Sequence, residues 1–223
     1  MSEDQRKGFE LRGWHVIVGL LAVLVVMFIL FRVFGHSALE RKIAEIRARG
    51  YPTTFEELEK YNQLPEGVPN AADLYIKAFD AYQAPFEDEK KLLPNMGPII
   101  LKPGDPITPE MKSAMVNFLS RNAKTLELLF QAGQIRQSRF NFPVTGPSAF
   151  LNPYLTDIKN SIYLLDQLVL LRAEIGKTNE AVQGAIVQLK LAESLKQEPL
   201  LISYLQRLAV WTFVDFHGAL RRF

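Results

Sequence analysis

The stretch from Trp14 to Phe34, WHVIVGLLAVLVVMFILFRVF, constrains this chain more than any other feature. Its 21 residues, wound into a helix at about 1.5 Å per residue, reach about 31 Å. The hydrocarbon core of a bilayer is about 30 Å thick. Only His15 and Arg32 are strongly polar, and both stand near the ends. There the polar heads can reach lipid headgroups while the stems stay in the apolar layer. Trp14 holds the position of an interfacial aromatic. A buried core helix of this composition would need protein on every side, more than the rest of the chain can supply. A cleaved signal peptide is the nearer rival. The run is longer than its roughly 7–15-residue apolar core, however, and Gly35-His36-Ser37 before Ala38 is a poor cleavage site. The expectation is an uncleaved signal anchor over 14–34, partnered by the lipid bilayer, behind an N-terminal tail of residues 1–13.

Orientation follows from the flanks. Arg6, Lys7 and Arg12 precede the run, and Arg32, Arg41, Lys42, Arg47 and Arg49 accompany or follow its end. Counted alone, these favour a cytoplasmic C-terminal domain. A short charged tail ahead of a long domain is nevertheless the layout of an exported signal anchor, and long domains cross largely regardless of charge. The reading places the protein in the bacterial inner (cytoplasmic) membrane as a single-pass protein with its C-terminal domain exported.

Composition narrows the function classes. There is no cysteine, which excludes disulfide scaffolds, thiolate metal sites and cysteine nucleophiles. Residues 1–34 hold four basic and three acidic groups, leaving 22 basic against 21 acidic in 35–223. A nucleic-acid binder concentrates basic charge on one face; here the signs alternate, so no nucleic acid is expected.

Beyond the apolar run the periodicity is helical, and the expected class is mainly α. A charged juxtamembrane segment, 35–83, carries a helix over Ser37–Arg49 stopped by Gly50 and Pro52. Thr53 and Thr54 ahead of Glu56 and Glu57 form a capping-box pattern for a short helix ending near Tyr61. Asn70 is the N-cap expected for a third helix with Leu74, Phe79 and Tyr82 as its apolar positions. Residues 84–109 hold six prolines and read as an irregular excursion. Leu92, Leu93, Ile99, Ile100 and Leu101 nevertheless mark it as ordered. From 110 to 223 a helical-hairpin domain is expected. Thr108-Pro109-Glu110 starts a helix whose stripe (Met111, Met115, Phe118, Leu119, Asn122, Leu126, Leu129, Phe130) runs to about Gln134. A second irregular section, 136–153, follows. Helix 154–174 lines up Ile158, Ile162, Leu165 and Val169. Ile175-Gly176-Lys177 turns the chain, Thr178 caps helix 179–197 with Ala181, Ala185, Ile186, Leu189 and Ala192 inward, and a further apolar helix starts at Glu198-Pro199. Short loops make these helices antiparallel neighbours.

The turn Gly176-Lys177-Thr178-Asn179-Glu180-Ala181 resembles the inter-helix turn of a tetratricopeptide repeat, with Gly ending one helix and a small Ala letting the next approach. Ala185 stands where that repeat usually carries an aromatic, and Gln188 replaces a second small residue. The likeness covers roughly 35 residues and implies TPR-like αα-hairpin packing. More broadly, the anchor, Gly50-Tyr51-Pro52-Thr53, Asn70-Ala71-Ala72-Asp73-Leu74-Tyr75 and Glu198-Pro199-Leu200-Leu201-Ile202-Ser203 resemble a family of uncharacterised bacterial membrane-anchored helical proteins. Members of that family tend to run longer. The likeness, with the strongly apolar final helix ending at Arg221-Arg222-Phe223, implies a truncated chain or a partner over residues 199–223.

Chemical signatures are sparse. His15 and His36 flank the apolar run, and His217 follows Asp215 by two positions, which a helix points about 200° apart. Neither Gly-x-Ser-x-Gly, Walker A, a dinucleotide fingerprint nor His-Glu-x-x-His occurs. Glu56, Glu57 and Glu59 fit a solvated helix cap. Asp157, Asp166 and Glu174 flank one apolar stripe as pocket candidates. The candidate recognition loop is Phe140-Asn141-Phe142-Pro143-Val144-Thr145-Gly146-Pro147 with Phe150, where Phe140, Phe142, Thr145 and Phe150 either pack inward or meet a partner. No catalytic, cofactor or metal residues are assigned. The expected function is a membrane-anchored, non-enzymatic helical scaffold or protein-interaction module of the bacterial envelope. Its partners would be a protein or a second copy through 199–223. The alternative is an envelope enzyme or ligand-binding domain whose site is completed by residues absent from this chain.

Overall fold

The computed structural model describes residues 13–61, 63–102, 104–141, 153–198 and 201–216. It is mainly helical, with no strand among the described residues. Two compact units divide after Tyr61.

In the first unit one unbroken helix, α1 (Gly13–Ala48), joins the apolar run to the charged segment behind it. Every large apolar side chain described from Trp14 to Phe31 is at least 47% exposed. Among the described residues no helix is long and apolar enough to cross a membrane. The transmembrane assignment of 14–34 is therefore unsupported there.

Gly50 ends the helix as expected. Its φ of +80° is a left-handed conformation that glycine adopts without a Cβ penalty. With it, Gly50 N–H reaches the Arg47 carbonyl (2.9 Å) and Tyr51 N–H the Ile46 carbonyl (3.3 Å), the paired bonds of a Schellman motif. The next helix, α2 (Phe55–Tyr61), begins with the expected carboxylate cap. Thr54 Oγ1 accepts from Glu57 N–H (3.2 Å), and Glu57 Oε2 accepts from Thr53 N–H (2.7 Å). Those Thr53 bonds, with Arg47 nearby, hold the Glu57 carboxyl below its ordinary range.

The second unit contains α3 (Ala71–Ala81), α4 (Glu87–Lys90), α5 (Pro109–Arg121), α6 (Ala123–Ala132), α7 (Leu155–Glu174), α8 (Thr178–Glu193) and α9 (Leu201–Phe216). α3 packs on α6 within this unit. α7 is central, touching α3, α5, α8 and α9, and it buries Ile158, Ile162, Leu165 and Val169 as the spacing predicts. α8 approaches it over small residues: a Cβ added at Gly184 would lie 2.8 Å from Val169 Cγ2, beside buried Ala181 and Ala185. Between them Gly176 repeats the Schellman turn, with φ +74° and a Lys177 N–H bond to the Arg172 carbonyl of 2.8 Å. The start and end of α8 differ from expectation. Lys177 is its N-cap without a side-chain bond, Thr178 is already helical, and the helix stops at Glu193. Ile186, expected inward, is 37% exposed, whereas Val187 and Leu191 are buried.

Polar side chains set the irregular parts. The helix expected to run unbroken to Gln134 is interrupted at Asn122, fully buried on the predicted stripe. Its Oδ1 accepts from Gln83 N–H (2.9 Å), and its Nδ2 donates to the Gln83 carbonyl (2.9 Å). One amide thus satisfies both backbone groups of a residue just past α3. Asn70 does the same for Arg139, at 2.8 and 2.9 Å, while capping α3 through Ala72 N–H (3.2 Å). In the proline-rich 84–109 stretch Leu93, Leu101 and Ile107 are buried with the helices. That stretch is docked by Gln167 Nε2 donating to the Pro94 carbonyl (2.7 Å) and Asn95 Nδ2 donating to Asp166 (2.9 Å).

Candidate interaction surface

The candidate recognition loop divides. Phe140 is 2% exposed and its ring stacks among Tyr75, Phe79 and Tyr154, with centroids 5.2–6.3 Å away. It is a core residue, and burial in that same cluster pushes the Tyr75 hydroxyl pKa up. Phe142, Thr145 and Phe150 lie outside the described residues. The Phe140 N–H donates to Glu198 Oε1 (3.2 Å), the residue that leads toward α9. Burial pushes the Glu198 carboxyl up to about 7, against the opposing pull of that N–H and of Arg139.

The pocket candidates do not converge. Asp157, Asp166 and Glu174 spread along about 25 Å of the α7 axis. Asp157 is raised by burial and by Asp80. Asp166 accepts from Asn95, and Glu174 pairs with Lys112 at 2.9 Å. Glu56 and Glu57 stand at the start of α2, as a cap requires. Among the described residues no group of three or more His, Asp or Glu side chains could hold a metal ion; His217 lies outside them. A cleft of about 860 Å³ opens between α4 and α5, lined in part by Phe86, Glu110, Ser113 and Asn117. Its charged floor is internally satisfied. Both Arg121 terminal nitrogens bond Glu89, and the guanidinium lies 4.6 Å from the Phe86 ring centroid, leaving little for a reacting group to engage.

The unusual element is α9. Three of its polar side chains turn toward the domain, whereas Thr212 stays exposed: Ser203 is fully buried, Gln206 Nε2 donates to the Leu155 carbonyl (2.9 Å), and Arg207 Nε lies 3.6 Å from Glu193 on α8. Val210 and Phe213 complete that inner face. The opposite face carries Leu201, Tyr204, Leu205, Leu208 and Trp211, exposed by 73, 53, 48, 53 and 51%. Spacings of three and four put all five on one stripe. A packed helix that also carries a large apolar stripe on its outer face calls for a second neighbour there. Beneath it, a cavity of about 360 Å³ separates α9 from α7, lined by Lys159, Ile162, Tyr163, Gln206, Val210 and Phe213. The sequence placed a partner on 199–223 but not the inward turn of its polar groups. The three-to-four spacing of Ser203, Gln206, Arg207 and Val210 was the available signal.

Compared with known proteins, the chain matches no family model, no curated protein and no solved structure.

Proposed function

We propose that this chain is a membrane-anchored, non-enzymatic helical scaffold or protein-interaction module of the bacterial cell envelope. Residues 14–34 hold it in the inner membrane, and the helical domain is exported. The observation that carries the reading is the outward face of α9, where five large apolar side chains stand exposed while Ser203, Gln206 and Arg207 turn inward. A monomer keeps contiguous exposed apolar patches small, so a face of this kind is an interaction surface. Support for the anchor comes from the sequence of the span and from the exposure of α1 side chains from Trp14 to Phe31. The α7–α8 hairpin, turned at Gly176, fits a TPR-like interaction module, because such hairpins bury their faces by stacking on neighbours.

Pull-down of tagged full-length chain from detergent extract tests the reading. Specifically retained protein, a second untagged copy included, is expected with the wild type and lost with Leu205→Glu/Leu208→Glu. Retention of nothing specific by the wild type would refute it. An alkaline phosphatase fusion after residue 60 should be active, and an inactive one would put the domain in the cytoplasm. The α7–α9 cavity favours the ligand-binding alternative instead; a thermal-shift screen that finds a small ligand lost in Tyr163→Ala and Gln206→Ala would move the function there.

A further inference from the structure

From the α9 face we infer a self-association surface: the outward stripe of α9 pairs with the same stripe of a second copy of this chain. The inference rests on the reading of α9 as an interaction surface and names its occupant. Three observations select a second copy.

The first is charge. Between Leu201 and Phe213 the single charged side chain described is Arg207, which faces Glu193 on α8 and holds its guanidinium 5.5 Å from the Tyr204 ring centroid. The charge beside the stripe is thus already engaged within the chain, leaving little for an acidic or basic partner to read.

The second is area. Side chains about half exposed or more present roughly 100–150 Å² each, so Leu201, Tyr204, Leu205, Leu208 and Trp211 offer on the order of 600 Å² per copy. Specific stable interfaces begin at about 600 Å² per partner. The stripe reaches that threshold when it meets a surface as apolar as itself, and it is such a surface. Tyr204 and Trp211 are the residue types that anchor interface centres.

The third is packing geometry. α9 lies on α8 and α7, and Leu201, Tyr204, Leu205, Leu208 and Trp211 stay exposed, leaving that stripe to take another helix. Helical-hairpin arrays bury such faces by stacking the next helix, and α9 of a second copy supplies one of matching length. Two copies held in the same bilayer meet at raised effective concentration, which suits an interface of this modest size.

The chain contains no cysteine, so single cysteines report proximity without background. Full-length Leu208→Cys in lipid vesicles, treated with a short thiol-to-thiol linker, is expected to give at least tenfold more covalent dimer than Asp88→Cys. The Asp88 side chain is 97% exposed, on α4 rather than α9. Adding Leu205→Glu to Leu208→Cys should abolish the excess. Equal cross-linking of Leu208→Cys and Asp88→Cys would overturn the proposal. So would quenching of Trp211 by brominated lipid in a Trp14→Phe background without a dimer, which would assign the face to the bilayer, or cross-linking only to a different protein. In the last case the scaffold reading would stand and the second copy would fall.

Discussion

Two helices of this protein, α1 and α9, leave large apolar side chains outside the packed core, and they do so differently. In α1 every described large apolar side chain from Trp14 to Phe31 is exposed, whichever way it points. In α9 five of the six exposed large apolar side chains fall on one stripe, while Ser203, Gln206, Arg207 and Val210 face the domain. An element apolar on all sides calls for an apolar solvent; one with a single apolar outer face calls for a single neighbour. On the proposed reading, the difference separates a tether from a docking surface.

The largest expected effect breaks the α1 half of that contrast. Leu24→Arg/Val25→Arg places two charges in the middle of the apolar run, at about 3 kcal/mol each by insertion scales. The full chain should then move from the membrane pellet to the aqueous fraction, whereas its helical domain keeps its thermal transition. A pellet fraction unchanged by both charges would show that α1 is not a lipid-solvated element.

Next in size is Asn122→Ala, which strikes the interior that presents α9. It removes a fully buried amide and leaves both Gln83 backbone groups without their partner. A loss of about 3 kcal/mol is expected in urea unfolding, with membrane partitioning untouched. A loss below 1 kcal/mol would mean that water replaces the amide readily, and that the break between α5 and α6 does not depend on it.

Much of this architecture was legible before any coordinates, because its signals are local. Gly50 and Gly176 sit where helices must turn left-handed, Asn70 and Thr108 where an oxygen must receive orphan N–H groups, and the α7 stripe recurs at helical spacing. The break at Asn122 was not legible, since a polar residue on an apolar stripe gives no hint of a partner 39 positions away. Nor was the choice between packing and recognition for Phe140, whose ring is buried by Tyr75 and Phe79, far back in the chain. The candidate surface was legible as a segment but not as a face. Which side of α9 meets the domain is decided by Leu155 and Glu193 on other helices.

A smaller effect concerns the linker that leads into α9. Glu198 has its pKa raised by burial to about 7, so the folded state holds a proton that the unfolded state releases nearer the ordinary carboxyl value. Its contribution to stability is full below about pH 4.5 and is lost as pH rises through 7. Glu198→Gln still accepts from Phe140 N–H but carries no charge. At pH 8 it should be more stable than the wild type by about 2 kcal/mol, allowing for the part of the carboxyl that meets water. At pH 4.5 the two should coincide. A variant that tracks the wild type across this range would mean that the carboxyl stays solvated.

The finest test compares the two faces of α9 directly. Val210→Ala on the inner face should cost about 1–2 kcal/mol in domain stability, whereas Leu208→Glu on the outer face should change it by less than about 0.5 kcal/mol. Similar costs at both positions would erase the distinction between an inward and an outward side.

The claim beneath all of this is that lipid is the solvent of the N-terminal helix, and alkaline carbonate washing of membranes that contain the intact chain tests it most directly. The protein, with residue 1 still present by N-terminal sequencing, should stay in the pellet and leave it only with detergent. Recovery of the uncleaved chain in the aqueous wash would contradict the account.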